Sequence, residues 1–207
     1  MDEPRAVREF WFGRLPLTAD RLDDRMRFWF ADDDDAERRQ RRDREMRRRF
    51  GGLLERAAAG ELANWADGPR RRLSLILLLD QFPRNLFRGT GRAYAYDAQA
   101  LSLALTGMQL GADAALEVCE RLFFYMPLQH AESREVQDES VAAYRRLLAE
   151  APSPLRSTFQ SALRYAQGHQ AIIEAFGRFP HRNQLLGRAN TAAEEKWLQQ
   201  SGERFGQ

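Results

Sequence analysis

With 207 residues, Lys+Arg 32 against Asp+Glu 30 and a net charge of +2, the chain can bury one ordinary core and lacks the one-signed surplus of a dedicated nucleic-acid binder. A single cysteine, Cys119, excludes an intrachain disulfide, and Met1 to Phe12 has no apolar signal-peptide core, so a soluble cytoplasmic protein is expected. Lysine occurs once, at Lys196, so arginine abundance reads as composition bias and only arginine position carries weight.

Pro4 and Gly13 enclose a first short helix with Val7, Phe10 and Trp11 on its apolar stripe. Thr18 suits the cap of a second, carrying Leu22, Met26, Trp29 and Phe30. The charged run from Asp32 to Arg49 suggests a nucleic-acid arm, but its spacing gives a solvated helix. Asp34/Arg38, Asp35/Arg39, Glu37/Arg41, Asp43/Arg47 and Glu45/Arg49 all stand at i, i+4 with the acid first. Met46, Phe50, Leu53, Leu54 and Ala57 supply the inward face, and Gly60 the stop.

The strongest apolar run follows, Leu73 to Leu79, too short for the roughly 20 residues of a membrane span. It predicts a central helix buried all round. Leu73, Ile76, Leu77 and Asp80 fall at i, i+3, i+4 and i+7, which turns the Asp80 carboxylate inward. Pro83 is expected to end the helix and leave Arg84, Asn85 and Arg88 on the turn. A buried carboxylate requires a charged or hydrogen-bonding partner, and those arginines are within reach.

Asp97 and Asp113 are expected to cap the next two helices, the second reaching Pro127. Ser133 opens another that ends before Pro152, Ser153-Pro154 a long one closed by Gly177, and Thr191 to Glu194 a last one through a capping box. Strand alternation bounded by hairpin turns is absent, so the expectation is all-α and a single domain over residues 1–207.

Three helix ends echo one another: Gln81-Phe82-Pro83-Arg84-Asn85, Met126-Pro127-Leu128-Gln129-His130-Ala131-Glu132, and Arg178-Phe179-Pro180-His181-Arg182-Asn183. Together with Glu9-Phe10-Trp11-Phe12-Gly13 they resemble the hallmark motifs of a bacterial family of uncharacterised all-helical proteins, domain of unknown function nine hundred and twenty-four. That resemblance covers nearly the whole chain. It implies a tetratricopeptide-like array of antiparallel helix pairs, and it implies no reaction, cofactor or catalytic residue.

If the three ends meet, Asp80, Arg84, Asn85, Arg88, His130, Glu132, Arg178, His181, Arg182 and Asn183 form a polar pocket. Guanidinium forks suit a carboxylate or phosphate, so the expected ligand is a small anion or an acidic peptide terminus. An enzyme reading makes His181 or His130 the base and Asp80 its orienting group, as in a hydrolase or transferase acting on an anionic substrate. A third is a protein-interaction scaffold in which an arginine merely neutralises Asp80. Histidines this loosely spaced, without a His-Glu-x-x-His run, give no metal signature, and no cofactor motif is present. His169, at i+4 from Tyr165, reads as a core histidine, Cys119 as inert packing, and the four tryptophans as core anchors.

Overall fold

The apolar run beginning at Leu73 lies at the centre, as its composition requires. A computed structural model describes residues 2–30 and 36–201, and among these every regular element is helical. The α-helices are α1 Glu3–Phe12, α2 Ala19–Trp29, α3 Ala36–Ala58, α4 Pro69–Ile76, α5 Phe82–Leu86, α6 Asp97–Gln109, α7 Val118–Phe124, α8 Met126–Gln129, α9 Arg134–Glu150, α10 Arg156–Phe176 and α11 Ala192–Ser201. All side chains from Leu73 to Leu79 are buried. Among the described residues, no helix is long and apolar enough to cross a membrane.

Pro83 does not end the central helix. Leu77–Gln81 widen into a π-helical turn in which the Phe82 N–H donates to the Leu77 carbonyl five residues back, and the chain continues as α5 with Pro83 in its first turn. The wider turn accommodates a ring that would clash in a regular helix and an imide nitrogen that has no hydrogen to donate. Asp80 therefore sits on the bulge, and Arg84 lies one turn further along a continuous helix.

Capping is met in part. Ser133 accepts from the Val136 N–H at 3.4 Å, and Thr191 and Glu194 exchange capping-box bonds of 2.7 and 3.2 Å. Asp97 and Asp113 are not caps. Tyr96 holds the cap position of α6, α7 begins with a Glu117–Glu120 capping box, and Asp113 accepts from the Tyr125 hydroxyl at 2.5 Å. Asp97 is drawn instead to a buried guanidinium, a stronger partner than a backbone N–H.

On α3, the pairs Asp34/Arg38 and Asp35/Arg39 lie outside the described residues. Glu45 and Arg49 stand 3.8 Å apart as expected. Asp43, however, faces Arg42 at 3.0 Å and Arg88 at 3.9 Å, while Arg47 donates to the Leu86 carbonyl at 2.7 Å. This face of α3 is bound to α5 rather than solvated.

One hydrophobic core runs from α1 to α10, with a small satellite of Ile172, Ile173 and Phe179 against Phe176 and Trp197. At its centre Trp11 meets the edge of Phe123 at 5.4 Å, Trp29 meets Phe123 at 4.6 Å, and the Trp29 indole donates to the Trp11 carbonyl at 2.9 Å. Helices α9 and α10 pack along each other as a helical hairpin, whereas α1 packs on α4, α3 on α5 and the π turn, and α6 on α4 and α8. At Gly107 of α6 an added Cβ would stand 2.5 Å from the Phe124 ring and 2.7 Å from the Arg72 side chain. Only glycine lets α6 approach that closely.

Candidate functional site

The π turn holds Asp80 fully buried, with the ends of α5 and α8 around it. His130, the residue at which α8 ends, places Nδ1 2.6 Å from Asp80 Oδ1, and the Gln81 amide donates to Asp80 Oδ2 at 2.5 Å. Arg84 adds its charge at 3.8 Å. Burial alone would raise the Asp80 pKa; the charges of His130 and Arg84 and the His130 and Gln81 hydrogen bonds outweigh it and hold the carboxyl at about 2. For His130, burial and the Arg84 charge push the imidazole below its ordinary value against the pull of Asp80. Both shifts favour a carboxylate beside a neutral imidazole. Since a carboxylate only accepts, Nδ1 carries the proton and Nε2 keeps its lone pair.

Arg84 itself is bound elsewhere. It forks onto Asp97 with two bonds of 2.9 Å and also donates to the Asp80 and Ala93 carbonyls. Arg182, from the 3-10 turn Pro180–Arg182, reaches the same carboxylate at 3.2 Å and the His130 carbonyl at 3.1 Å. Its guanidinium lies between the Tyr94 ring at 4.6 Å and the Phe179 ring at 4.4 Å. Burial and the neighbouring Arg84 lower the Arg182 pKa to about 10, which leaves it charged at neutral pH. Two carboxylates thus meet two guanidiniums, and His130, with 13% of its side chain exposed, is the partly open edge of the cluster.

The remaining expected residues divide. Glu132 joins the rim, accepting from the Phe179 N–H at 2.8 Å and from Arg188 at 2.6 and 2.9 Å. His181 also lines it, 5.6 Å from Phe179, and burial lowers its pKa to about 4. Asn85 and Arg88 belong to a different network: Asn85 accepts from Arg42 at 2.5 Å and from Arg88 at 3.4 Å, which ties α5 to α3. Arg178 turns away to Glu194 at 2.6 Å, and Asn183 donates to Asn190 at 2.8 Å. These four are fastenings between segments, since these partners lie on α3, α5, α11 and the loop before α11 and not at Asp80.

His169 is the core histidine expected, its Nδ1 donating to the Tyr165 carbonyl at 2.8 Å and burial lowering its pKa to about 3. Its ring stands 6.3 Å from that of His130. Among the described residues no three His, Cys, Asp or Glu side chains converge as metal ligands. Cys119 is buried, and burial pushes its thiol up to about 12. Sequence reasoning missed Asp97, Tyr94, Gln81 and Arg188 as site residues. Only Gln81 gave a signal, as the neighbour of Asp80.

Compared with known proteins, residues 7–202 match the family model described as "Bacterial protein of unknown function (DUF924)". A solved structure, that of the protein of unknown function ATU0120 from Agrobacterium tumefaciens, is similar at 33% identity and a TM-score of 0.76, covering 96% of this chain and 97% of that one. No curated protein matches. The chain belongs to the bacterial DUF924 family.

Proposed function

We propose that the protein binds a small anionic ligand that also carries a hydroxyl or other donor group, at the partly exposed edge of the Asp80 cluster, with His130 Nε2 accepting from that donor and Arg182 as the cation beside the anionic group. The observation that carries this is the 2.6 Å contact between buried Asp80 and partly exposed His130. A buried carboxylate that fixes an imidazole by Nδ1 presents the other nitrogen in one tautomer and one direction. The proposal includes a cytoplasmic setting and reads the α9–α10 hairpin as the tetratricopeptide-like part of the fold.

The same dyad favours a second reading, a hydrolase or transferase in which His130 is the general base and Asp80 its positioning group. The neutrality of the cluster favours a third. Arg84 and Arg182 are matched by Asp80 and Asp97, so the motifs also suit a protein-interaction scaffold with structural ion pairs.

A thermal-shift screen with phosphate- and carboxylate-bearing metabolites separates them, run on the parent and His130→Gln. A ligand at about 100 times its dissociation constant adds roughly 2.7 kcal/mol to the parent. The proposal expects this gain to vanish in His130→Gln. Stabilisation that survives the substitution, or no stabilisation by any anion, removes the site as the binding place. A stabilising anion that the parent then converts, while His130→Gln does not, establishes the enzyme reading.

A further inference from the structure

A second basic surface lies on the amino-terminal helix. A cleft of about 740 Å³ opens between α1 and the start of α4, lined by Arg5, Arg8, Arg14 and Arg70 against Asp2 and Glu9 as acids. Arg70 precedes Asp80 by ten residues along the central helix, about 15 Å at the ordinary rise, so the cleft is separate from the Asp80 cluster. The size is that of a small-molecule site.

The charges in the cleft do not balance. Arg5 is held by Glu9 at 2.7 Å, Arg8 stands 3.2 Å from the fully buried Glu120, and Asp2 caps α1 by accepting from the Arg5 N–H at 3.2 Å. Arg14 and Arg70 have no carboxylate within ion-pair distance among the described residues. The two walls are fixed to each other, since Ser74 of α4 donates to the Pro4 carbonyl of α1 at 2.7 Å. Arg14 follows Gly13, which ends α1 at a φ of 69°, a conformation that favours glycine. Four arginines against Asp2 and Glu9 leave the concave wall with a surplus of positive charge, which concentrates the field on whatever anion enters.

We propose that this cleft binds an oligoanionic small molecule, one carrying two or more phosphate or carboxylate groups, with Arg14 and Arg70 as its main contacts. Arginine forks hold either group by paired hydrogen bonds, and cations on both the α1 and the α4 sides call for more than one anionic group.

The test is isothermal titration of the full chain with sodium tripolyphosphate and, separately, with citrate. Three proteins are compared: the parent, the double variant Arg14→Gln/Arg70→Gln, and His130→Gln. Neither arginine makes an ion pair with a described residue, so the double variant should keep the parent melting temperature. The expected result is that at least one probe binds the parent, that the double variant weakens it by about tenfold or more, and that His130→Gln leaves it unchanged. Tripolyphosphate alone identifies a phosphate ligand and citrate alone a polycarboxylate. Absence of binding by either probe below about 10 mM overturns the proposal, as does a loss under about tenfold in the folded double variant. Equal loss in His130→Gln would move the ligand to the Asp80 cluster. If the double variant does not fold, the single variant Arg14→Glu, whose side chain is on the surface, is judged by the same tenfold criterion.

Discussion

Asp97 is the carboxylate on which two buried guanidiniums converge. Asp97→Asn keeps the shape and deletes one charge. Arg84 then loses its 2.9 Å fork and Arg182 its 3.2 Å contact, and both guanidiniums stay buried with only Asp80, 3.8 Å from Arg84, as counter-charge. Breaking a buried pair while leaving its partner in place costs about 3–5 kcal/mol. For a chain of this length that lowers the melting temperature by roughly 6–20 °C. Urea denaturation of the parent, Asp97→Asn, Arg182→Met and the double variant gives the coupling directly, since Arg182→Met should restore part of the loss in the Asp97→Asn background. A penalty for Asp97→Asn under about 1 kcal/mol would refute the picture of a charge-balanced buried cluster.

The histidines set an acid limit. His169 and His181 have folded values of about 3 and about 4, both below the unfolded value of about 6.5, so as pH falls through 6.5 the unfolded chain takes up the protons first. Stability should fall from about pH 6.5 downward, by on the order of 1–2 kcal/mol per histidine at pH 5, whereas the Asp80 contribution is intact at pH 5 and is lost between about pH 4 and about 2. Denaturation midpoints that do not change between pH 7 and pH 5 would contradict this. Gly107→Ala should cost about 1–3 kcal/mol in thermal unfolding, because its methyl enters the space of Phe124 and Arg72, and an unchanged melting temperature would show that α6 and α4 part easily. Glu132→Gln should speed hydrogen exchange at the Phe179 amide, whose acceptor is that carboxylate, and exchange at the parent rate would remove Glu132 as the tie.

The inward turn of Asp80 was legible because helical spacing fixes the face a side chain takes, while caps, prolines and Gly177 gave the bounds of α9 and α10. Periodicity does not extend across a change of helical pitch. Pro83 reads as a stop in sequence, and only the π turn, which depends on packing against α3 and α6, allows the helix to pass through it. Asp97 shows a second limit. An aspartate ahead of an apolar helical run looks like a cap whether it serves the backbone or an arginine, and Arg182 lies 85 residues away. The third echo shows another: Arg178 and Arg182 stand four residues apart, yet the 3-10 turn between them sends one to Glu194 and the other to Asp97.

Long-range nitrogen–proton NMR of the His130 ring, assigned by its loss in His130→Gln, tests the central claim most directly. The expected result is a neutral ring at pH 7 with the proton on Nδ1, and a shift in the tautomer mixture in Asp80→Asn. A ring protonated on Nε2 alone, or doubly protonated at pH 7, would contradict it, since Nε2 would then offer no lone pair to a ligand.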